Sequence, residues 1–113
     1  MEHASFLSEI VYGESQPVIT PLIANAFTKE IRIVFRAGQA MKAHKTAFPI
    51  TVAVVFGTID FGTGKGRVVL KTGDVIALEP NVMHDLNASE DAVVRLSLHR
   101  GDSIGRVSAV LKL

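Results

Sequence analysis

Apolar and polar residues alternate with a period of two along several short segments, and this pattern restricts the fold of the chain more than any other feature. In residues 28–36, isoleucines and a phenylalanine fall on one side and charged residues on the other, and residues 92–99 repeat the pattern. A period of two is that of a half-buried β-strand. Residues 49–57 are apolar on both sides, which predicts a central strand or one covered by a partner subunit.

Turn residues separate further strand-like segments. Gly62 to Gly66 reads GTGKG and predicts a hairpin tip. The segment 16–23 carries two prolines, which predicts an edge strand because proline cannot donate a backbone hydrogen bond. Other predicted strands are 67–71, 75–78, 84–86 and 107–113. Short strands at regular spacing indicate an all-β barrel or jelly roll.

Residues 5–12 allow at most one short helix in this all-β fold. Phe6, Leu7, Ile10 and Val11 lie on one helical face, and Gly13 would end the helix. An N-terminal strand or ordered arm is the alternative.

The composition indicates one globular domain. The chain has 113 residues, 48% of them hydrophobic and 20% charged, so we expect a single domain over residues 1–113 with a core barrel at about 28–100. The net charge of +1 predicts no nucleic-acid partner and no membrane partner. Without cysteine there is neither a disulfide nor thiol chemistry. The N-terminal residues lack the pattern of a signal peptide, which favours a cytoplasmic protein.

Two turns each lead to one histidine. Gly38 is followed by five residues and His44, and Gly57 comes after the next apolar segment; Gly73 precedes the second histidine, His84. These two stretches resemble the two motifs of the cupin family, and the likeness to small single-domain cupins covers about residues 31–99. It implies a cupin double-stranded β-helix (a jelly-roll barrel) with both histidines inside.

The second turn departs from the motif in a mild way. Glu79 stands at the usual proline position, with Pro80 beside it, and Asn81 stands at the usual glycine position. Asparagine tolerates a positive φ better than other non-glycine residues, so this exchange is physically acceptable.

The first motif departs more seriously. A metal-binding cupin usually has a second histidine two residues after the first, and then a glutamate; here those positions are Thr46 and Ile50, or Thr51 with one extra residue. The resemblance therefore implies only His44 and His84 as ligands of a divalent metal such as Zn, Fe, Ni, Cu or Mn. Two histidines fall short of the three protein ligands of a catalytic zinc site.

The expected ligand pocket surrounds the two histidines. Its predicted members are His44, Thr46, Phe48, Ile50, Met83 and His84. Such a pocket would suit a small, mainly apolar or aromatic molecule, unless the side chains fill the barrel and leave no cavity.

Three functions follow from the resemblance. The first is a small-molecule-binding cupin without an assigned activity. The alternatives are a metal-dependent enzyme of dioxygenase or isomerase type with a reduced ligand set, and a stand-alone relative of the sensor barrels of AraC-type regulators.

The apolar surface predicts a homodimer. The segment 49–57 is apolar on both faces, and the predicted C-terminal strand carries little charge to protect its edge. An internal alternative is that Phe6, Ile10 and Val11 fold over the same surface.

Overall fold

Nine β-strands make up the fold, and their lengths follow the alternating segments of the sequence. A computed structural model describes residues 1–99; the strand predicted at 107–113 lies outside the described residues. The strands are β1 (Val18–Ala24), β2 (Thr28–Phe35), β3 (Ala40–His44), β4 (Ile50–Phe56), β5 (Thr58–Thr63), β6 (Gly66–Lys71), β7 (Val75–Leu78), β8 (His84–Ala88) and β9 (Ala92–His99). Residues 1–99 contain no helix, and so none that is long and apolar enough to cross a bilayer. The predicted all-β class is confirmed.

The strands form two antiparallel sheets that face each other. The five-stranded sheet has the order β1-β2-β9-β4-β7, and the four-stranded sheet has the order β3-β8-β5-β6. Burial of the inward-facing side chains of both sheets creates one hydrophobic core, as in a jelly roll. The buried core residues are Ile31, Ile33, Phe35, Ile50, Val52, Val54, Ile59, Phe61, Leu70, Leu86, Ala88, Ala92 and Val94.

The doubly apolar segment is central, as its sequence predicts. β4 pairs with β9 on one side and with β7 on the other. The predicted edge strand is also an edge strand, β1, although it spans Val18–Ala24 rather than 16–23. Its register shifts between Pro21 and Ile23, which accommodates a proline that has no N–H to give to the ladder.

Gly57 is where the chain passes from one sheet to the other. β4 ends at Phe56 in the five-stranded sheet, and β5 begins at Thr58 in the four-stranded sheet. Gly57 has a φ of 97°, a conformation that residues with a Cβ rarely adopt. A Cβ built on it would also lie 2.8 Å from the Cα of Ala92 and would collide with the carbonyl oxygen of Asp91.

The N-terminal segment is an ordered arm rather than a helix. Nη1 of Arg32 on β2 donates a hydrogen bond to the carbonyl oxygen of Ser8 at 2.6 Å. The guanidinium of Arg36 lies 4.0 Å from the ring centre of Tyr12, and that of Arg95 lies 5.8 Å from the ring centre of Phe6. The arm therefore contacts the outer side of the five-stranded sheet at β2 and β9.

The polar side of β2 is buried, although its sequence pattern is that of a solvated side. Glu30 is only 9% exposed. Its Oε1 accepts hydrogen bonds from Nε of Arg95 at 2.6 Å and from Oγ of Ser97 at 2.7 Å, and its Oε2 accepts one from Thr28 at 2.9 Å. Buried charges are tolerated when they are paired and hydrogen-bonded in this way.

Candidate functional site

His44 and His84, distant in the sequence, meet directly across two neighbouring strands. They are register partners in the antiparallel pair β3–β8, and their ring centroids are 4.3 Å apart with a tilt of 60° between the planes. His84 is only 3% exposed and lies parallel to the ring of the core residue Phe61, while His44 is half-buried. The pair thus connects the core to the surface at one margin of the four-stranded sheet.

A β-bulge in β3 brings His44 to the inner side. Met41 faces Leu86 and His44 faces His84, so Lys42 and Ala43 together stand opposite one residue of β8. Met41 and His44 are three residues apart and would point to opposite faces of a regular strand. The extra residue of the bulge places both on the side of the core.

Both histidine rings are fixed through the same nitrogen. Nδ1 of His44 lies 2.7 Å from the carbonyl oxygen of Lys42, and Nδ1 of His84 lies 2.8 Å from that of Val82. A carbonyl oxygen can only accept, so each Nδ1 carries the hydrogen. In the neutral ring, Nε2 then holds a lone pair. Within residues 1–99, neither Nε2 has a hydrogen-bond partner.

The surroundings of His84 favour the neutral form of its ring. Burial lowers the pKa of its imidazole below the usual value, and the neighbouring His44 adds to this effect. The hydrogen bond to Val82 and the charge of Asp85 raise the same pKa but do not outweigh burial.

The two loops that carry the motifs are tied to each other. The backbone N–H of Asn81 donates to the carbonyl oxygen of Thr46 at 2.7 Å, and Asn81 has a φ of 64°. Asparagine therefore adopts the conformation that a glycine would provide at this position.

The other four predicted pocket residues differ in their burial and in their contacts. The hydroxyl of Thr46 donates to the carbonyl oxygen of Phe48 at 2.8 Å, within its own loop. Ile50 is buried in the core, paired with Leu78 and Leu98 across the five-stranded sheet. Phe48 and Met83 are exposed.

Two open grooves lie where the edges of the two sheets part. One groove of about 530 Å³ separates β1, an edge of the five-stranded sheet, from β3, an edge of the four-stranded sheet. We call it the β1–β3 groove; it is lined by Ser15, Gln16, Pro17, Ile19, Ala40, Met41, Lys42 and His44. His44 is therefore the member of the pair that a ligand in this groove would touch.

A second groove of about 450 Å³ lies at the opposite edges, between the β5–β6 hairpin and β7. Met83 contributes to it, together with Val82, Glu79 and Lys65. The structure thus separates Met83 from the groove that reaches His44.

A charged cluster on the outer side of the four-stranded sheet holds β8, the strand that carries His84, next to β5 and β6. Arg67 on β6 donates to Asp60 at 3.0 Å and to Asp85 at 2.7 Å. Its guanidinium lies over Gly62, where any Cβ would collide with it. Arg67 thereby links β6, β5 and β8 in register next to the histidine.

Sequence comparisons find no relatives. No protein-family model matches the chain, and no curated protein is significantly similar to it.

Comparison with solved structures is decisive for the fold. An RmlC-like cupin protein from Desulfovibrio desulfuricans is similar, with a TM-score of 0.81 and 19% identity over 88% of this chain and 96% of the other. An RmlC-like cupin from Shewanella frigidimarina gives 0.68 and 19% over 75% and 77%, and a cupin domain from Bordetella pertussis gives 0.65 and 19% over 79% and 98%. This chain has the cupin fold.

The metal site of the usual cupin motif is only half represented here. His44 and His84 each offer the lone pair of Nε2, through which a neutral imidazole would bind a divalent metal. Residues 1–99 hold no group of three or more His, Cys, Asp or Glu side chains placed to bind a metal. The described donor set could therefore fill at most two coordination positions of a metal.

Sequence reasoning overlooked Lys42 and the bulge of β3. Lys42 and Met41 line the β1–β3 groove beside His44. Met41 and His44 are three positions apart, so only a bulge could place both in the site, and the sequence carries no clear signal for it.

Proposed function

We propose that this cupin-fold protein binds a small, mainly apolar or aromatic molecule at the histidine pair, in the β1–β3 groove. One observation carries the proposal. Both histidine rings hydrogen-bond to a backbone carbonyl through Nδ1, and within residues 1–99 neither Nε2 atom has a hydrogen-bond partner. A half-buried polar atom that lacks a hydrogen-bond partner in the protein favours a ligand that forms a hydrogen bond with it.

The groove selects a ligand by its chemistry. Nε2 of a neutral imidazole accepts a hydrogen bond, so the ligand should present a hydroxyl or N–H group to His44. Pro17, Ile19 and Met41 supply apolar contact for the rest of the molecule. The volume of about 530 Å³ falls within the roughly 300–1,000 Å³ of small-molecule sites. Binding, rather than a reaction, is what these residues support.

Phenol and anisole form a matched pair of probes for this site, because anisole has a methyl group in place of the hydroxyl hydrogen of phenol and so cannot donate a hydrogen bond. Titration of ¹⁵N-labelled, metal-free protein should show phenol shifting the ring-nitrogen resonances of His44, with a smaller effect from anisole. The backbone amide resonances of Met41 and Lys42 in the groove should also respond more to phenol than to anisole. His44→Ala should abolish this difference, whereas His99→Ala, which removes an exposed ring of β9, should retain it.

Equal effects of phenol and anisole on the wild type would contradict the proposal. So would ring resonances that show His44 protonated at Nε2 instead of Nδ1, since its lone pair would then point at a carbonyl oxygen.

A metal-dependent enzyme is the second candidate, and the two Nε2 lone pairs are the observation that favours it. His44 and His84 would hold a Zn, Fe, Ni or Mn ion, which would polarise a bound substrate as a Lewis acid. Elemental analysis of purified protein tests this: a stoichiometric metal that is lost in both His44→Ala and His84→Ala would support it. Full occupancy in His84→Ala would place the metal elsewhere.

A homodimer is the assembly that the surface favours. The N-terminal arm contacts β2 and β9, but Val75 on the edge strand β7 remains 63% exposed, and Phe56 at the end of β4 is also exposed. Exposed apolar groups beside a sheet edge favour association with a second copy.

A cytoplasmic location completes the proposal. The sequence has no cysteine and so depends on no oxidising compartment for a disulfide. Fractionation of the source cells would test it, and recovery with an extracellular or membrane fraction would contradict it.

A further inference from the structure

We infer that the β1–β3 groove takes a small organic acid that also carries a hydroxyl group, with the carboxylate on Lys42 and the hydroxyl on His44. The inference rests on the proposed function and specifies the chemical class of its ligand.

The charges that line the groove carry the first step. Lys42 is the one charged side chain among the lining residues of the described chain, and no Asp or Glu lines it. Within residues 1–99, ion pairs neutralise Arg36, Arg67 and Arg95, whereas no carboxylate lies within ion-pair distance of Lys42. The groove therefore has a positive charge to offer and favours an anion.

The second groove makes a useful contrast. It contains Lys65, but Glu79 lines it as well. The opposite charges of these two side chains cancel, so the preference for an anion is a property of the β1–β3 groove.

The geometry of β3 carries the second step. Lys42 and His44 both line the groove from β3, and the long lysine side chain can reach a ligand that lies beside the ring. The carbonyl oxygen of Lys42 also receives the Nδ1 hydrogen of His44, so the same residue orients the ring and brings the positive charge. One ligand can then ion-pair with Lys42 and donate its hydroxyl hydrogen to Nε2 of His44.

Three related probes separate the two contacts. Mandelate has an aromatic ring, a hydroxyl group and a carboxylate; phenylacetate lacks the hydroxyl, and mandelamide lacks the negative charge. We expect mandelate to bind the metal-free protein more tightly than either of the others, by about fivefold, as a solvent-accessible ion pair or one hydrogen bond would give. The binding of mandelate and of phenylacetate should weaken as salt is added, whereas the binding of the uncharged mandelamide should not.

A pair of lysine variants tests the role of Lys42. Lys42→Gln should reduce mandelate affinity to that of mandelamide and leave mandelamide binding unchanged. Lys45→Gln is the matched control, because Lys45 is an exposed lysine close in sequence that does not line the groove. Thermal unfolding of both variants should match the wild type, since neither side chain is buried.

The outcomes distinguish this inference from the proposed function. Equal binding of mandelate and mandelamide, or full mandelate affinity in Lys42→Gln, would overturn the carboxylate assignment and leave binding at His44 intact. If none of the three probes shifts the ring resonances of His44 at about 10 mM, where even millimolar affinity saturates the site, the inference is overturned. In that case a shift with phenol would still support the proposed function, and its absence would remove both.

Discussion

Gly57 lies where the chain passes between the two sheets, and the structure lets us predict how much stability is lost when it is replaced by alanine. Gly57→Ala adds a Cβ to a residue with a φ of 97°. Holding a non-glycine residue in this region costs of order 1–2 kcal/mol. The new Cβ would also lie 2.8 Å from the Cα and Cβ of Ala92 and against the carbonyl of Asp91, so backbone must move. We expect a loss of about 3 kcal/mol or more in the free energy of unfolding.

Two other glycines separate the contributions of strain and collision. Gly73 has a φ of 94°, but a Cβ there meets no atom within 4 Å, so Gly73→Ala should lose only the strain of about 1–2 kcal/mol. Gly64 in the β5–β6 hairpin has neither a left-handed φ nor an atom within 4 Å. Gly64→Ala should therefore change stability by no more than about 0.5 kcal/mol.

Urea denaturation followed by far-ultraviolet circular dichroism measures the series, with the slope checked for each variant. The expected order of destabilisation is Gly57→Ala, then Gly73→Ala, then Gly64→Ala. If Gly57→Ala lost no more than Gly73→Ala, the close approach to Ala92 would contribute nothing and the reasoning would be wrong. If Gly73→Ala behaved like Gly64→Ala, the strain argument would fail.

Two further predictions concern acid stability and assembly. Burial raises the pKa of Glu30, but its hydrogen bonds, above all the one from Arg95, outweigh this effect and hold the pKa below its usual value. The ionised Glu30 therefore stabilises the fold at any pH above the pKa that it has in the unfolded chain. This stabilisation is lost as the pH falls through the pKa that Glu30 has in the folded protein. The urea midpoint should drop toward about pH 3, and by less in Glu30→Gln; parallel curves would contradict this. Sedimentation equilibrium at micromolar concentration should show a dimer that Val75→Asp dissociates and the exposed β6 control Val69→Asp does not; a wild-type species at 12.2 kDa would refute it.

The strands could be predicted because burial on a sheet repeats every second residue. β9 begins and ends at the predicted Ala92 and His99, and β4 is central as its doubly apolar sequence indicates. The short helix considered for residues 5–12 is not formed, because the arm hydrogen-bonds to Arg32 and packs Phe6 and Tyr12 against arginines of the sheet. Such partners are distant in sequence, and a local pattern cannot reveal them.

The candidate site was predictable only in part. Two histidines after two turns could be found by resemblance, and the structure makes them register partners. Ile50 and Thr46 remain predicted pocket residues, with Ile50 in the core and the Thr46 hydroxyl bonded to its own loop. The sequence could not show that Lys42 lines the groove, because that depends on which edge strand faces β3.

The sequence by itself determined the all-β class, the positions of the turns and the residue types that can do chemistry, since these depend on side-chain periodicity and local backbone preference. Only the tertiary structure decided that the chain changes sheets at Gly57, that a bulge turns His44 toward His84, and that the polar side of β2 is buried beneath the arm. The physical reason is that register and burial are set by contacts between distant segments. A shift of one residue in a strand reverses every side chain, and only the partner strand fixes that shift.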